Sequence, residues 1–490
     1  VTHGRLDYEN QTVRIPRAGI PLKFQRATLN LPRQGSLTPP GAPAPTMKSL
    51  AQIEPRTPIS SVPYTISSPG SYYLTTNLTS GSFQAGIAIL ADNVTLDLSG
   101  FALIGVPNSF SGIYCFGQKN VCIRNGTIRG WDNDGIDAFP SSNQRYEKLF
   151  ITDNTTGGWL ADKNALVADC VVSSNSGGGI LVGDGSSVSR CLAQTNFGAG
   201  IVTGHACAVE ECTAVSNTGM GISADAGSTL RGCAARLNGS DGINVQSGSV
   251  VKDCASGNST GNEIYAGGQC AVLGCSAQNN HVAGIQLGDN ATLKDCNSTG
   301  NTSDGIHSGK GSTVSGCTAN GNPNYGIYAL GNSTVNGCTA SANGGDGISV
   351  ADGVTVIGCT ADFNGTSFLG KGIGTGARAQ VTDCTAVGNS WIGIAVAEDS
   401  IVIGNHASAN GGTGGADNSG ITASGSGSRI EGNQVRDNIG LGINAGAGDI
   451  ILRISAGNNT TNNYSPSSGA NFAPIQSPST ATSPFANIVF

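Results

Sequence analysis

The apolar positions of this chain recur at long, fixed intervals. From Ile180 an isoleucine returns at 201, 222, 243, 264, 285, 306, 327 and 348, an unbroken period of 21 in which the preceding residue is mostly Gly. A second ladder keeps step with it: Cys170, Cys191, Cys212, Cys233, Cys254, Cys275, Cys296, Cys317, Cys338 and Cys359, then Cys384 after a four-residue insertion. A third, of Asn175, Asn196, Asn217, Asn238, Asn280, Asn301, Asn322, Asn343 and Asn364, misses only position 259, which is Ser. Each repeat holds two or three short strand-prone runs separated by Gly, Asn, Asp and Ser, too short for a helical crossover. The chain must wind as a solenoid in which one repeat is one coil, and coils bury their apolar side by stacking.

Stacking places equivalent residues about 4.8 Å apart, so the Ile ladder and the Val-x-x-Cys-x-Ala ladder become interior columns. In Val314, Cys317 and Ala319 the first spacing is odd and the second even, which requires a bend between them if all three point inward. Looser spacing extends the pattern upstream through Ile87, Ile113, Ile136 and Leu160 and downstream through Ile373, Ile394, Ile421 and Ile443. The expectation is an all-β, single-domain right-handed parallel β-helix of 17 coils, on the order of 80 Å long. Beyond Cys384 the cysteine slot passes to Asn405 and Asn433.

Three segments follow: an extended, Pro-rich basic arm over 1–62, the β-helix over 63–456, and an uncharged tail or cap over 457–490 that closes with Phe485-Ala486-Asn487-Ile488-Val489-Phe490. Both ends of a solenoid expose unpaired strand edges, which such segments cover.

Composition agrees with short strands and tight turns: 74 of 490 residues are Gly and only 12% are charged. The net charge of −7 is uneven, since residues 1–60 hold eight Lys/Arg against three Asp/Glu. An acidic body argues against a nucleic-acid partner. No apolar stretch is long enough to span a bilayer. The non-Met start and the composition are read as a mature, secreted, extracellular or cell-surface form whose signal has been removed.

The Gly-Ile and Val-x-x-Cys-x-Ala coils with their Asn turns resemble the parallel β-helix repeat of the pectate-lyase-like superfamily over roughly residues 80–455. The segment MKSLAQIEPRTPISSVPYTISSPGSYYLTTNL, leading into DNVTLDLSGFALIG, resembles the start of a group of uncharacterised secreted bacterial β-helix proteins. The resemblance implies a fold shared by polysaccharide lyases, glycoside hydrolases, epimerases, adhesins and phage tailspikes, and fold does not fix function.

Eleven of the fifteen cysteines share one column and none forms C-x-x-C, so they read as small apolar core residues rather than metal ligands. Cys115 and Cys122, outside the column, are the disulfide candidates. The Asn ladder, although several members sit in N-x-S/T, reads as stacked side chains that bond along the solenoid and satisfy left-handed turn geometry. Asp134, Asp241, Asp304 and Asp346 before Gly-Ile, and Asp184, Asp289 and Asp352 after it, read as turn residues. His205, His281 and His307 fall on different coils without a zinc or triad motif. No metal or cofactor is expected.

One stretch stands out. Residues 131–169 combine Asp132, Asp134, Asp137, Asp153 and Asp162 with Trp131, Phe139, Tyr146, Trp159, Arg145 and Lys148 where the repeat is irregular. Carboxylates beside aromatic platforms suit sugar chemistry. If the chain is an enzyme, Asp132, Asp134, Asp137 and Asp153 are its catalytic candidates and Trp131, Arg145, Tyr146 and Trp159 its binding candidates. The preferred reading is an extracellular structural or adhesive solenoid that self-assembles through its arm and tail into a homo-oligomer or polymer. The alternative is a polysaccharide lyase or glycoside hydrolase acting on the solenoid face, and a third reading is polysaccharide binding without turnover.

Overall fold

The computed structural model describes residues 55–490 apart from 156–158, 368, 413–416 and 467–468, and Pro55–Phe490 forms one compact unit. The proposed assembly arm falls almost wholly outside the described residues. The described chain is a right-handed parallel β-helix whose coils each contribute three short strands, as in Ile180–Val182, Ser187–Ser189 and Leu192–Gln194. Corresponding strands of successive coils pair in parallel with a shift of 21 residues: Ile180 opposes Ile201, Val188 opposes Val209, and Ala193 opposes Ala214. Three walls result, an isoleucine, a valine and an alanine sheet.

Three corners per coil turn the wall, each at a residue with positive φ. In one coil these are Arg190 (φ 51°), Thr195 (φ 54°) and Ala206 (φ 53°). Arg190 is the bend that the Val-to-Cys parity demands. Each corner flips the side-chain alternation, so the next residue faces the interior: Cys191, Asn196 and Cys207, all buried. The left-handed residue is therefore the one before each Asn, and the Asn itself points inward. Asn217 shows the bonding: its Oδ1 accepts from the Asn196 main-chain N–H (3.1 Å) and Nδ2 (3.0 Å), and its Nδ2 donates to the Ala193 carbonyl (3.0 Å) and Asn238 Oδ1 (3.1 Å).

The third corner carries a column that the sequence reading did not separate: Ser186, Cys207, Ser228, Ser249, Cys270, Ala291 and Ser312. Cys207 and Cys270, two of the four cysteines outside the main ladder, belong here, in a slot otherwise held by small residues. Beyond Cys384 the Asn substitution continues the main column, with the Cys384 N–H donating to Asn405 Oδ1 and the Asn405 N–H to Asn433 Oδ1, both at 2.8 Å.

The isoleucine sheet has 19 strands, from Tyr64–Ile66 to Asn462–Pro466. The two coils beyond the expected 17 place Tyr64 opposite Ile87 and Tyr464 opposite Ile443. At the coil between Ile136 and Ile180, Trp159 rather than Leu160 stands in register with Ile136. The stack begins at Thr57–Ile59, paired with Tyr72–Leu74. It ends with Asn487–Val489, where Asn487 Oδ1 accepts the Ile454 N–H (3.0 Å) in the slot of the old cysteine column. Among the described residues no helix is long and apolar enough to cross a membrane.

Candidate functional site

The outward side chains of the isoleucine sheet form a column with one residue per coil. Over most of the chain this column is small or apolar, but Tyr265, Gln286, His307 and Tyr328 follow one another in register. The corner residues two positions before each isoleucine flank it: Asp304, Tyr325, Asp346 and Lys371 on consecutive coils.

Asp304 joins these two columns. Its Oδ1 accepts the Tyr325 main-chain N–H (3.2 Å) and the Asn324 side-chain amide (2.6 Å), and its Oδ2 lies 3.3 Å from His307 Nδ1. The first pair of bonds is the ordinary turn role. Asp241 accepts the Asn262 N–H in the same way at 2.9 Å, and Asp346 the Lys371 N–H at 2.7 Å. The second bond exists because His307 stands three residues on. With Nδ1–H donated to Asp304, Nε2 of the neutral ring is left as the acceptor.

One aromatic ring meets the imidazole and a second stacks on the first. His307 meets Tyr328 edge to face at 4.9 Å, and Tyr325 stacks on Tyr328 at 5.5 Å. Burial, followed by the charges of Asp346 and Asp304, raises the Tyr325 phenol above its ordinary value, so it remains a proton donor. Burial raises the Asp346 carboxyl, opposed by the Lys371 N–H and ammonium. Lys371 lies across Gly374, the glycine of the outward column, and its ammonium sits 5.4 Å from the Trp391 ring centre. From the His307 coil to the Lys371 coil is three rungs, on the order of 14 Å. The patch therefore offers an oriented base, phenolic acids, a cation and an indole along one line.

The residues singled out in 131–169 do not converge. Trp131 and Tyr146 are fully buried, so neither presents a ring to a ligand. The Trp131 indole N–H donates to the Leu103 carbonyl at 3.3 Å. Asp132 is a turn residue accepting the Asn108 N–H (2.9 Å) and the Thr155 hydroxyl (3.2 Å). Asp134 precedes Gly-Ile at a corner, and Asp153 is a left-handed corner with φ 58°. Arg145 starts a strand of the valine sheet and pairs with Glu147 at 2.5 Å. Asp137 lies on the outward isoleucine column, beside Tyr114, and Phe139 is exposed on the same strand; these two are the members of the stretch that come together. Side chains 159–162, including Trp159 and Asp162, lie outside the described residues. The stretch is compact in sequence, but the coil distributes it over three walls and the interior.

The disulfide candidates also separate. Cys115 is buried, while Cys122, next to the buried Ile123, faces outward, and both are free thiols. Cys115 follows a strand of the isoleucine sheet and points inward, whereas Cys122 begins a strand of the valine sheet and points outward, an arrangement that does not bring the two sulfurs into disulfide geometry. His307, set aside in the sequence as isolated, is the residue with the most developed surroundings. Its partner Asp304 lies three residues earlier in D-G-I-H, a spacing visible once columns rather than windows are read.

No curated protein matches this chain. Solved structures that share its winding include a mutant of the periplasmic alginate epimerase AlgG, at 13% identity over 59% of this chain and 75% of that one, with a TM-score of 0.36. The A-module of the Azotobacter vinelandii mannuronan C-5 epimerase AlgE4 aligns at 11% identity over 83% of this chain and 91% of that one, with a TM-score of 0.25. Tailspike protein 3 of bacteriophage CBA120 aligns at 10% identity over 84% and 59%, with a TM-score of 0.27. These are likenesses of winding alone. The model described as right handed beta helix region matches residues 68–218 and 203–336, more than half of the sequence, and the chain belongs to that family.

Proposed function

We propose that this protein is a secreted polysaccharide lyase acting on a uronate-containing chain laid along the isoleucine face. The observation that carries the reading is Asp304 Oδ2 at 3.3 Å from His307 Nδ1, on a coil flanked by Tyr325 and Tyr328. A carboxylate fixing one imidazole nitrogen leaves the other as a general base. In an elimination, His307 Nε2 takes the proton on the carbon bearing the carboxylate. The electron pair forms the carbon–carbon double bond, the glycosidic C–O bond breaks, and a tyrosine phenol protonates the leaving oxygen. Lys371 supplies the cation for a carboxylate farther along the chain, and Trp391 a ring for a sugar face.

The clustering of a base, phenols and a cation on one face supports the enzymatic alternative over the structural role preferred from the sequence. A second reading has one observation behind it. Asp304 and Asp346 are two coils apart, on the order of 9–10 Å, near the separation of roughly 6.5–9.5 Å used by inverting glycoside hydrolases. The test is incubation with uronate polymers and neutral glycans, following near-ultraviolet absorbance of unsaturated ends together with reducing ends. Unsaturated products abolished by His307→Ala are the expected result. Reducing ends without absorbance support hydrolysis instead, and activity retained in His307→Ala removes the site.

A further inference from the structure

The same outward column carries a second feature nearer the N-terminal end. A cleft of about 690 Å³ is walled by Tyr114, Phe116, Phe139, Leu181 and Val202, with the carboxylates of Asp137 and Asp225 at its sides. Register places Tyr114 opposite Asp137 and Leu181 opposite Val202, so the cleft lies on the isoleucine face. Five rungs separate Val202 from His307, on the order of 24 Å, so no single sugar reaches both.

Its walls are costly to leave in water. Phe116 is 54% exposed and Phe139 56%, and large apolar side chains so placed forgo about half of the stabilisation that full burial would give. The Tyr114 and Phe116 rings lie 9° from parallel with centres 6.2 Å apart, so their faces are aligned. Asp137 is held in place, its Oδ1 accepting the Phe139 N–H at 3.4 Å. Asp225 Oδ2 lies 4.0 Å from His205 Nε2. No Lys or Arg is among the described lining residues.

We infer that this cleft is a binding site for a neutral saccharide, separate from the Asp304–His307 site. Aligned aromatic faces take the C–H face of a pyranose, and carboxylates accept hydrogen bonds from its hydroxyls. An anionic sugar would meet two carboxylates with no Lys or Arg among the described lining residues to offset them, whereas a purely apolar ligand would desolvate both carboxylates without filling their remaining acceptor sites. The site needs no turnover and does not rest on the reaction assigned to His307.

The experiment uses the full chain and isothermal titration with hexasaccharides of β-1,4-glucan, β-1,4-mannan and β-1,4-xylan, with an oligogalacturonate of equal length as the anionic probe. Binding of at least one neutral hexasaccharide is expected, weakened tenfold or more by Phe116→Ala and by Asp137→Asn and unchanged by His307→Ala. Both substituted side chains lie on the outer face, and an unchanged thermal midpoint confirms that the variants fold. The inference is overturned if none of the three neutral probes binds, if their binding survives both substitutions, or if the oligogalacturonate binds more tightly through the same residues. Loss of activity in His307→Ala with neutral binding intact separates this site from the proposed lyase site.

Discussion

Glu263 fills the place that Ser259 leaves in its own coil. Ser259 is the one interruption in the asparagine ladder, and Glu263 stands where the neighbouring coils have Gly. The Ser259 N–H donates to Glu263 Oε1 at 2.9 Å, and the Ser256 hydroxyl donates to Oε2. Two departures from the repeat, four residues apart, thus compensate each other in space: the Glu263 carboxyl takes the room that a ladder amide fills in neighbouring coils, and the Ser259 N–H, which also donates to Asn280 Oδ1 at 3.4 Å, gains a closer acceptor. A double-mutant cycle should read this as coupling. Ser259→Asn alone places an amide against the buried carboxyl and destabilises, and Glu263→Gly alone leaves the Ser259 N–H only its longer bond to Asn280 Oδ1 and opens a void, at a cost of about 1–3 kcal/mol. The pair together restores the repeat and should be more stable than either single variant. Additive thermal midpoints would contradict the compensation.

The same carboxyl gives the fold a pH dependence. Glu263 is fully buried, and burial pushes its pKa up to about 7 against the opposing bonds from Ser256 and Ser259. The folded state therefore holds a proton that the unfolded chain releases near pH 4.5. Between these values the folded state binds more protons, so stability falls as pH rises from about 4.5 to about 7 and levels off above. The full difference is on the order of 3 kcal/mol. Thermal midpoints at pH 5, 6, 7 and 8 should decline for the wild type relative to Glu263→Gln, whose amide does not titrate. A constant difference between the two proteins across this range would contradict the assignment.

Much of the fold was legible because a solenoid repeats its environment every 21 residues, so Ile, Cys and Asn each reveal a column. What escaped were the places where a column changes residue type. The terminal coils use Tyr64 and Tyr464 in the isoleucine slot. The third corner alternates Ser with Cys207, Cys270 and Ala291, which conceals a column of small side chains. The site escaped for a related reason. Residues 131–169 are neighbours along the chain, but Trp131 and Tyr146 project into the core while Arg145 lies on another wall. His307, Tyr328 and Lys371 are 64 residues apart from first to last and still share one face. In such a fold, proximity follows position modulo the period.

Interior asparagines should matter more than their exposed neighbours. Asn217→Ala takes the acceptor from the Asn196 N–H and removes one bond each from the Asn196 amide, the Ala193 carbonyl and Asn238 Oδ1. A loss of about 3 kcal/mol is expected, because unpaired buried polar groups lose their solvation without return. Thr213→Ala, on the outer side of the alanine sheet in the same coil, should change stability by no more than about 0.5 kcal/mol. Denaturation of both variants under one set of conditions gives the comparison.

Thiol labelling should report the walls directly. Fourteen of the fifteen cysteines are buried and Cys122 alone is half-buried, and burial drives the Cys115 thiol up to about 11. Alkylation of the native protein should add one group, at Cys122, and alkylation after denaturation should add fifteen. An intact mass two protons short, or protection of Cys122, would indicate the disulfide that the opposed side chains exclude.

Gly374 sets the position of the cation on the candidate site. A Cβ there would meet Lys371 Cδ and Asp346 Oδ2, both at 3.1 Å, and Lys371 Nζ at 3.5 Å. Its φ lies outside the left-handed region, so alanine strains no backbone and its effect falls on the side chains it displaces. If Lys371 binds a substrate carboxylate three rungs from the reacting sugar, Gly374→Ala should raise KM several-fold on uronate polymers and leave kcat within about twofold, the pattern of lost uniform binding. Lys371→Met should give the same division with a larger rise in KM, whereas Asp304→Asn, which disturbs the orientation of His307, should lower kcat. A fall in kcat without a change in KM for Gly374→Ala would place Lys371 at the reacting sugar, and the substrate would then lie across the coils rather than along them.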